Sequence, residues 1–262
     1  MSLIRLSLLV FLALLLAGPA TGDPLFRDGE GKVTAIVDGD TLVLADGREV
    51  RLVGIQAPKL PLGRRNFKTW PLADIAKNAL LRLALYKTVT LSFGGRRVDR
   101  YGRLLAHLHD ETGNWIQGEL LRAGMARVYS FWDNRAVVSD MLALERTARA
   151  ERLGIWRNPF YRIRKAEDVW RDIGSFQLVE GTVQTVAVQR KYTYVNFGAN
   201  WRTDFTVAVP SRHRKTFEAS GFDLTALQGR TVRVRGWIKS RNGPMIEATH
   251  PEQIEIVRNT QK

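Results

Sequence analysis

The chain has 262 residues and a net charge of +14, from 40 Lys and Arg against 26 Asp and Glu. It contains no cysteine, which excludes disulfides, thiol nucleophiles and thiolate metal sites. The length allows one large domain or two small ones. The strong positive charge indicates a polyanionic partner, such as nucleic acid, an acidic envelope polymer or an anionic membrane surface.

Residues 1–22 have the composition of an export signal. Arg5 supplies the positive charge, residues 6–16 form an apolar run, and residues 20–22 (Ala-Thr-Gly) offer a cleavage site between small side chains. The apolar run is shorter than the ~20 residues that span a membrane. We therefore expect an exported protein, periplasmic or secreted, with no stable membrane insertion after cleavage. A retained signal that acts as an anchor is the alternative.

The first half of the chain contains strand-like segments followed by helix-like ones. Alternating apolar residues between turn signals predict strands, and apolar stripes at helical spacing predict helices. The predicted strands are residues 32–37, 41–44, 49–55, 88–93 and 103–109. The predicted helices are one with Pro71 in its first turn and an apolar stripe over residues 73–84, and two more at 119–123 and 139–153. This order predicts a mainly β, α+β fold, an OB-fold barrel capped by helices.

The second half predicts a separate β unit. Residues 158–173 are charged and aromatic, and we interpret them as a linker or a connecting helix. Residues 174–258 contain five strand candidates and a helical segment at 211–219, which favour a second small OB-like barrel. The strand candidates are residues 179–188, 192–197, 202–209, 231–238 and 246–249.

The second unit is also basic. Residues 174–262 carry 13 Lys and Arg against 7 Asp and Glu. Basic and aromatic residues are mixed in residues 190–194 (Arg-Lys-Tyr-Thr-Tyr), basic residues cluster at 212–215, and Trp201 lies next to Arg202. Such runs are usually solvated faces, and the binding of a polyanion is the alternative.

Three short motifs in the first half carry the most functional information. Asp38-Gly39-Asp40-Thr41 forms a turn between two strands, Arg51-Leu52 lies in the next strand, and Asp99-Arg100-Tyr101-Gly102-Arg103 precedes a later strand. In this order and spacing, with Gly154-Ile155-Trp156 after the last helix, they resemble the active-site framework of the staphylococcal nuclease (thermonuclease) family. The resemblance covers residues 31–157 and implies that family's barrel and its phosphodiester chemistry.

Arg51 and Arg103 are the residues to which the resemblance assigns a catalytic role. They match the family's arginines that contact the scissile phosphate and stabilise its developing charge. A planar guanidinium can donate two parallel hydrogen bonds to phosphate oxygens, which a lysine cannot. An ordinary arginine at the mouth of the barrel is the alternative in so basic a chain.

The metal site and the general base of the resembled family are altered. Gln56, Ala57 and Lys59 stand where the family has the metal-binding Asp, a Thr and the Glu taken as general base. Asp40 matches the first metal-binding carboxylate, and Asp38 either supports it or only holds the turn. Ca²⁺ needs six to eight oxygen ligands, and a nearby ammonium repels it. We therefore assign no definite cofactor. Ca²⁺ bound by Asp40, with Gln56 and Asp38, is the disfavoured alternative.

Two other groups of side chains are candidates for binding. Tyr101, Tyr129 and Trp132, with Phe131, could stack on bases, and burial in the core is the alternative for some of them. His107 and His109 alternate on one strand beside Asp110. These three residues form either a replacement metal site or a solvated face.

Together these features predict an exported, nuclease-like protein that binds the phosphodiester backbone of DNA or RNA, or another polyanion, through Arg51 and Arg103. Hydrolysis is expected to be weak or lost, because Lys59 at the position of the base is not expected to act as one. Two alternatives remain. One is a metal-dependent phosphodiesterase that uses Asp38, Asp40 and Gln56, and the other is an interaction scaffold of the cell envelope.

Overall fold

The computed structural model of the chain describes residues 25–257. The expected export signal, residues 1–22, lies outside them. Within the described part, no helix is both long enough and apolar enough to cross a membrane. The described chain forms two β units, each with its own buried apolar core.

The first unit is a closed barrel. Its strands are β1 (Phe26–Asp38), β2 (Thr41–Leu44), β3 (Glu49–Leu52), β4 (Gly54–Gln56), β5 (Thr88–Phe93), β6 (Leu104–His109) and β7 (Arg127–Tyr129). The barrel has the order β1-β2-β3-β6-β5, in which β3 and β6 are parallel. Residues 26–32 of β1 pair with β5 and residues 33–38 pair with β2, so one long strand closes the ring. β4 and β7 form a separate antiparallel pair.

Three helices pack against this barrel: α1 (Ala73–Ala84), α2 (Ile116–Arg122) and α3 (Val138–Ala150). The apolar stripe of α1 is buried as predicted, with Ala76 and Leu80 inaccessible to solvent. Pro71 is not in the first turn of α1, however, because Leu72 takes a left-handed conformation with φ of 68°. The chain turns at Leu72, and the helix begins at Ala73.

The strands of the second unit are β8 (Arg164–Lys165), β9 (Phe176–Thr182), β10 (Thr185–Val188), β11 (Tyr192–Asn196), β12 (Thr206–Pro210), β13 (Thr231–Ser240), β14 (Pro244–Glu247) and β15 (Ile254–Ile256). They follow the order β10-β11-β12-β14-β13-β9-β8, and β15 pairs with β13. Helix α4 (Arg214–Ala219) follows β12, within the predicted helical segment.

The second unit repeats the strand pairing of the first barrel. β9 and β10 act as two halves of one strand, because β9 pairs with β13 and β10 pairs with β11. The change of partner falls between Val183, whose N–H donates to Arg230 O, and Gln184, whose N–H donates to Asn196 O. The parallel pair β12–β14 corresponds to β3–β6. The ring of pairings is therefore that of a second OB-type barrel.

The predicted strands differ from the structure where the chain bends. The strand predicted at 49–55 is divided into β3 and β4, because Gly54 has a φ of 83°. The strand predicted at 179–188 starts at Phe176 and is divided where the pairing partner changes. The strand predicted at 202–209 begins only at Thr206. β7 and β15 have three residues each, which is too short for an alternating pattern to be visible.

Residues 158–173, predicted as a linker or a connecting helix, are built into the second unit. β8 pairs in parallel with β9, and residues 166–172 form a 3₁₀ helix whose Val169 is buried in the second core. The charges that suggested a linker are partly used inside this segment, since Arg164 Nε lies 2.9 Å from Asp172 Oδ1. The second unit therefore begins earlier than residue 174.

A buried cluster of charges joins the two units. Arg235 of β13 makes a two-pronged ion pair with Glu145 of α3, with N–O distances of 2.9 and 3.0 Å. Both side chains are at most 1% exposed. Arg235 also contacts Glu255, which lies 3.0 Å from Arg149. Because each buried charge has an opposite partner, the cluster can remain ionised inside the protein.

We expect Arg235→Met to lower the free energy of unfolding by about 3 kcal/mol, because it leaves the buried Glu145 carboxylate short of a partner. Chemical denaturation checks this value. Arg122→Met is the matched control, since Arg122 is 56% exposed and pairs with the exposed Glu119. Such a surface pair contributes about 0–1 kcal/mol. Equal losses in both variants would contradict a special role for the buried cluster.

Candidate active site

The turn between β1 and β2 is fixed by close packing. A Cβ at Gly39 would lie 2.7 Å from Ala57 Cβ and 2.9 Å from Ala76 Cβ, so only glycine fits between the loop after β4 and helix α1. The N–H of Asp40 donates to Asp38 Oδ1 over 3.0 Å. The two carboxylates are therefore held side by side, and both are buried.

The ammonium group of Lys59 lies between these carboxylates. Its Nζ is 2.6 and 2.7 Å from the two oxygens of Asp40 and 3.2 Å from Asp38 Oδ2. Asp40 Oδ2 also accepts the N–H of Ala57 over 2.7 Å. The residues named from the sequence at this position thus meet in one place, which we call the carboxylate notch (Asp38, Asp40 and Lys59).

The two carboxylates respond to this environment in opposite directions. Burial acts to raise the pKa of Asp40, but the charges of Arg51 and Lys59 outweigh it and lower the pKa to about 2. Burial, followed by the adjacent charge of Asp40, raises the pKa of Asp38 above its usual value, against the opposing charge of Lys59. Asp40 is therefore a firmly ionised carboxylate that depends on the cations beside it.

Gln56 has a different partner. Its Oε1 accepts hydrogen bonds from Nε and Nη2 of Arg127 over 3.0 and 2.7 Å. Burial lowers the pKa of Arg127 to about 10, so the guanidinium is still charged at neutral pH. Arg127, which the sequence did not single out, donates as well to Phe176 O at the start of β9. The side-chain oxygen of Gln56, a candidate metal ligand, is thus hydrogen-bonded to the guanidinium of Arg127 instead.

The donors present do not fit Ca²⁺. The ion requires six to eight oxygens and several carboxylates. Here the two acids already hold Lys59, and Gln56 holds Arg127. Among residues 25–257, no group of three or more His, Asp or Glu side chains could hold a metal ion.

The histidines of β6 do not form a replacement metal site with Asp110. His107 is buried against Trp115, its Nδ1 has no hydrogen-bond partner, and burial lowers its pKa to about 3. Asp110 Oδ1 instead accepts the N–H groups of Thr112 and Asn114, which fixes the turn after β6. His107 is therefore a neutral core residue.

Backbone carbonyls hold the guanidinium of Arg51. Nη1 donates to Leu52 O and Asp40 O over 2.7 and 3.2 Å, and Nη2 donates to Ile55 O over 2.6 Å. Nη1 also lies 3.3 Å from Asp40 Oδ1. Three of the five N–H groups are used in this way, which fixes the plane of the guanidinium and leaves two donors for a ligand.

Arg103 is oriented by acids. Its Nε and Nη2 lie 2.8 and 2.7 Å from Asp99 Oδ2, and its Nη1 lies 3.8 Å from Glu49 Oε1. Asp99 also accepts the N–H of Tyr101 and of Arg103 itself, so the loop and the side chain are fixed together. The Nη1 end, beyond hydrogen-bond distance of Glu49, is the part of Arg103 that can meet an anion.

Arg51 and Arg103 line one cleft of about 450 Å³ with two further arginines, Arg96 and Arg100. We call these four residues the arginine cleft. The sequence missed the other two, although the basic pairs in residues 96–97 and 100–103 were a visible signal. The carboxylates that line the cleft are Asp99 and Asp133. Four cations against two acids give a cleft suited to an anion.

Aromatic side chains form part of the same cleft. Tyr101, which is exposed, and Tyr129 and Phe131, which meet edge to face, all line it. Trp132 is not among the lining residues, because its ring packs against His213 of the second unit. Three of the four aromatic residues considered for base stacking therefore lie beside the arginines, and Trp132 lies elsewhere.

The chain is similar in sequence to several known proteins. The family model described as staphylococcal nuclease homologue matches residues 49–158. An uncharacterized endonuclease of Escherichia coli O157:H7 is 33% identical over 135 residues, which cover 50% of this chain and 80% of that protein. The micrococcal nuclease of Shigella flexneri is 30% identical over 161 residues, covering 56% of this chain and 82% of that protein. Protein ParB of Escherichia coli is 32% identical over 161 residues, which cover 55% of this chain and 81% of that protein.

We expect Lys59→Met to raise the pKa of Asp40 above about 2. The variant removes the Lys59 ammonium, so of the two cations that lower this pKa only Arg51 remains. In the wild type, Asp40 contributes stability that is complete above its unfolded pKa of 3.8 and is lost as the pH falls toward 2. In the variant the loss of this stability on acidification is smaller and is complete at a higher pH, and the free energy of unfolding at pH 7 falls by about 3 kcal/mol.

Carbon-detected NMR titration of the side-chain carboxyl groups measures the pKa of Asp40, and denaturation at several pH values measures the stability. Lys68→Met is the control, since Lys68 is an exposed residue of the same loop. An unchanged titration of Asp40 in Lys59→Met would mean that the ammonium does not lie in the carboxylate notch in solution.

Proposed function

The chain belongs to the family of staphylococcal nuclease homologues, and on that basis we propose that it is an exported protein that binds the phosphodiester backbone of DNA or RNA and hydrolyses it weakly or not at all. The arginine cleft is the proposed binding site, with Arg51 and Arg103 as its central residues. The observation that carries the proposal is the position of Lys59, whose ammonium lies 2.6 Å from Asp40 in the carboxylate notch.

Hydrolysis of a phosphodiester requires a group that takes a proton from water and charge that stabilises the transition state. An ammonium group is a donor with no acceptor, so Lys59 cannot take that proton. The loss of a general base typically costs ~10²–10⁴-fold in rate. The carboxylates that remain are neutralised by Lys59 and Arg51, and neither is free to act as base. Slow or absent turnover follows from these contacts.

Binding of a phosphate, unlike hydrolysis, requires only oriented hydrogen-bond donors and positive charge. Arg51 keeps two N–H groups beyond those that hold backbone carbonyls, and Arg103 keeps its Nη1 end. Both guanidiniums are oriented before a ligand arrives, which reduces the entropy lost on binding. Arg100, whose guanidinium lies over the Tyr101 ring at 4.8 Å, adds positive charge at the exposed side of the cleft.

A metal-dependent phosphodiesterase is the second candidate, and the names of the relatives favour it, since two of them are called endonuclease and micrococcal nuclease. The retention of both arginines in an ordered site also supports it. The two candidates differ in one assay, the cleavage of single-stranded DNA with Ca²⁺ or with a chelator. Efficient metal-dependent cleavage that Arg51→Ala abolishes would establish the second candidate and refute the first.

We expect the full chain to bind a labelled single-stranded oligonucleotide at low salt, and Arg100→Ala to bind it more weakly at every sequence. Each lost phosphate contact on a single strand reduces the slope of log K against log salt by about 0.7. Arg51→Lys should also weaken binding, because lysine cannot donate the paired hydrogen bonds. Fluorescence anisotropy over a series of salt concentrations measures both effects.

The control for this series is Arg122→Ala, which removes an equal charge on helix α2, where Arg122 pairs with Glu119 and does not line the cleft. The proposal predicts a slope for this control that equals that of the wild type. It fails if the full chain shows no affinity for DNA or RNA at low salt, or if Arg122→Ala and Arg100→Ala are affected equally.

We expect Lys59→Glu to gain affinity for Ca²⁺, since it removes the ammonium and places a third carboxylate beside Asp38 and Asp40. Adding Gln56→Asp should raise the affinity for Ca²⁺ by less than an extra carboxylate normally would, because Arg127 would pair with the new carboxylate. Binding stabilises the folded protein by RT ln(1 + [Ca²⁺]/Kd), so a rise in melting temperature with Ca²⁺ measures it. Lys59→Met, which removes only the ammonium, is the control. An unchanged melting temperature of Lys59→Glu in Ca²⁺ would show that the loop carrying residue 59 takes a different position in solution.

A further inference from the structure

The second barrel carries a partly exposed aromatic surface that takes no part in the arginine cleft. Tyr192 and Tyr194 point outward from β11, while Thr193 and Val195 between and after them are buried in the barrel. Trp201, in the loop between β11 and β12, is 50% exposed. Arg241 lies nearby, in the turn between β13 and β14. We call these four residues the stacking face (Tyr192, Tyr194, Trp201 and Arg241).

The rings of the stacking face are already arranged for stacking. Tyr192 and Tyr194 have centroids 5.6 Å apart and planes inclined by 29°. The guanidinium of Arg241 lies over the Tyr192 ring at 5.1 Å, and Nη1 is 3.4 Å from the hydroxyl of Tyr192. An array of flat side chains with a guanidinium at its edge resembles, in its chemistry, the surfaces on which unpaired bases stack.

A pocket of about 250 Å³ opens between these side chains. Tyr194, Trp201 and Arg241 line it, and Asn196 and Thr206 lie at its polar side. Asn196 and Thr206 are joined by a hydrogen bond of 3.2 Å, which fixes their orientation. The volume is below the ~300–1,000 Å³ of typical small-ligand sites and suits one flat ring system better than a larger ligand.

The pocket lies at the place where OB-type barrels bind polymers. In this ring of pairings, β11 and β12 are the second and third strands, and the residues around Gln189 and Arg241 are the loops between strands one and two and strands four and five. OB folds bind oligonucleotides and oligosaccharides on strands two and three and on these two loops. Position in the fold and local chemistry therefore indicate the same surface.

The charge around the stacking face selects between these two ligands. Arg190 and Lys191 lie in the first loop, and the Arg202 guanidinium lies over the Trp201 ring at 4.6 Å. The nearby Asp204 carboxylate accepts the N–H of Asn200 and the hydroxyl of Thr203, so it is used within the loop. Basic residues outnumber the carboxylates around this aromatic surface, which favours an anionic polymer with exposed bases over a neutral sugar.

We propose that the stacking face is a second nucleic-acid site, which binds single-stranded DNA or RNA by stacking a base in the pocket between Tyr194 and Trp201. Arg241, Arg202 and the basic pair in residues 190–191 contact the phosphates on either side. A duplex does not fit, because its bases are already stacked on one another. The site reads base faces, whereas the arginine cleft of the first barrel reads the backbone.

The test uses the full chain and two labelled probes of equal length, an oligothymidylate and an abasic oligomer with the same phosphodiester backbone. We expect Tyr194→Ala and Trp201→Ala each to weaken binding of the oligothymidylate about tenfold, since one stacked base is lost. Neither variant should change binding of the abasic probe. Trp170→Ala is the matched control, because Trp170 is a 51% exposed tryptophan of the same unit that does not line the pocket.

The outcomes separate this site from the arginine cleft. Arg100→Ala should weaken both probes, so a loss in Trp201→Ala without a loss in Arg100→Ala would support the stacking face and refute the cleft. Wild-type affinity for oligothymidylate in both Tyr194→Ala and Trp201→Ala would overturn the proposal. Loss of binding to a soluble chito-oligosaccharide with unchanged binding of oligothymidylate would also overturn it, and would assign the face to sugars. Unchanged melting temperatures show that the variants are folded.

Discussion

The contact between the Lys59 ammonium and the Asp38 and Asp40 carboxylates determines what the mouth of the first barrel can do. Two buried acids side by side cannot both be ionised without a cation close to them. This chain provides that cation from its own loop, with the Lys59 ammonium 2.6 Å from Asp40. This fixed charge holds the two acids of the turn, and the carbonyl of Asp40 holds Arg51 beside them. The proposed loss of water activation rests on this contact.

The environment of Gln56 depends on the second barrel. Arg127 donates to the Gln56 side chain and to the Phe176 carbonyl, so one guanidinium connects β4 to the first long strand of the second unit. An aspartate at position 56 would hold Arg127 as a buried ion pair rather than a metal ion. Near the same place, Trp237 of β13 donates to the hydroxyl of Tyr129, which lines the arginine cleft. The wall of the cleft is thus supported from the second barrel, and a substitution in either unit affects both.

The sequence predicted the fold well because its signals are local. Turn motifs, alternating strands and the stripe of α1 all depend on near neighbours, and both barrels were recognised from them. The limits were set by contacts between distant residues. Nothing near Gln56 in the chain indicates that Arg127 binds it, and nothing near Trp132 indicates that its ring contacts His213. The short strands and the break at Gly54 were missed because three-residue strands and a single positive φ leave almost no periodic pattern. At the site, residue types could be matched position by position, but their partners could not.

The most direct measurement is a calorimetric titration of the wild-type chain with Ca²⁺ near neutral pH. Lys59 already neutralises the carboxylate notch, so no saturable heat of binding is expected at millimolar Ca²⁺, and the Asp40 carboxyl signal should stay unchanged in a parallel NMR titration. Saturable binding of one ion with a shift of the Asp40 signal would contradict the account, because it would show that Lys59 leaves the notch and that a metal centre forms there.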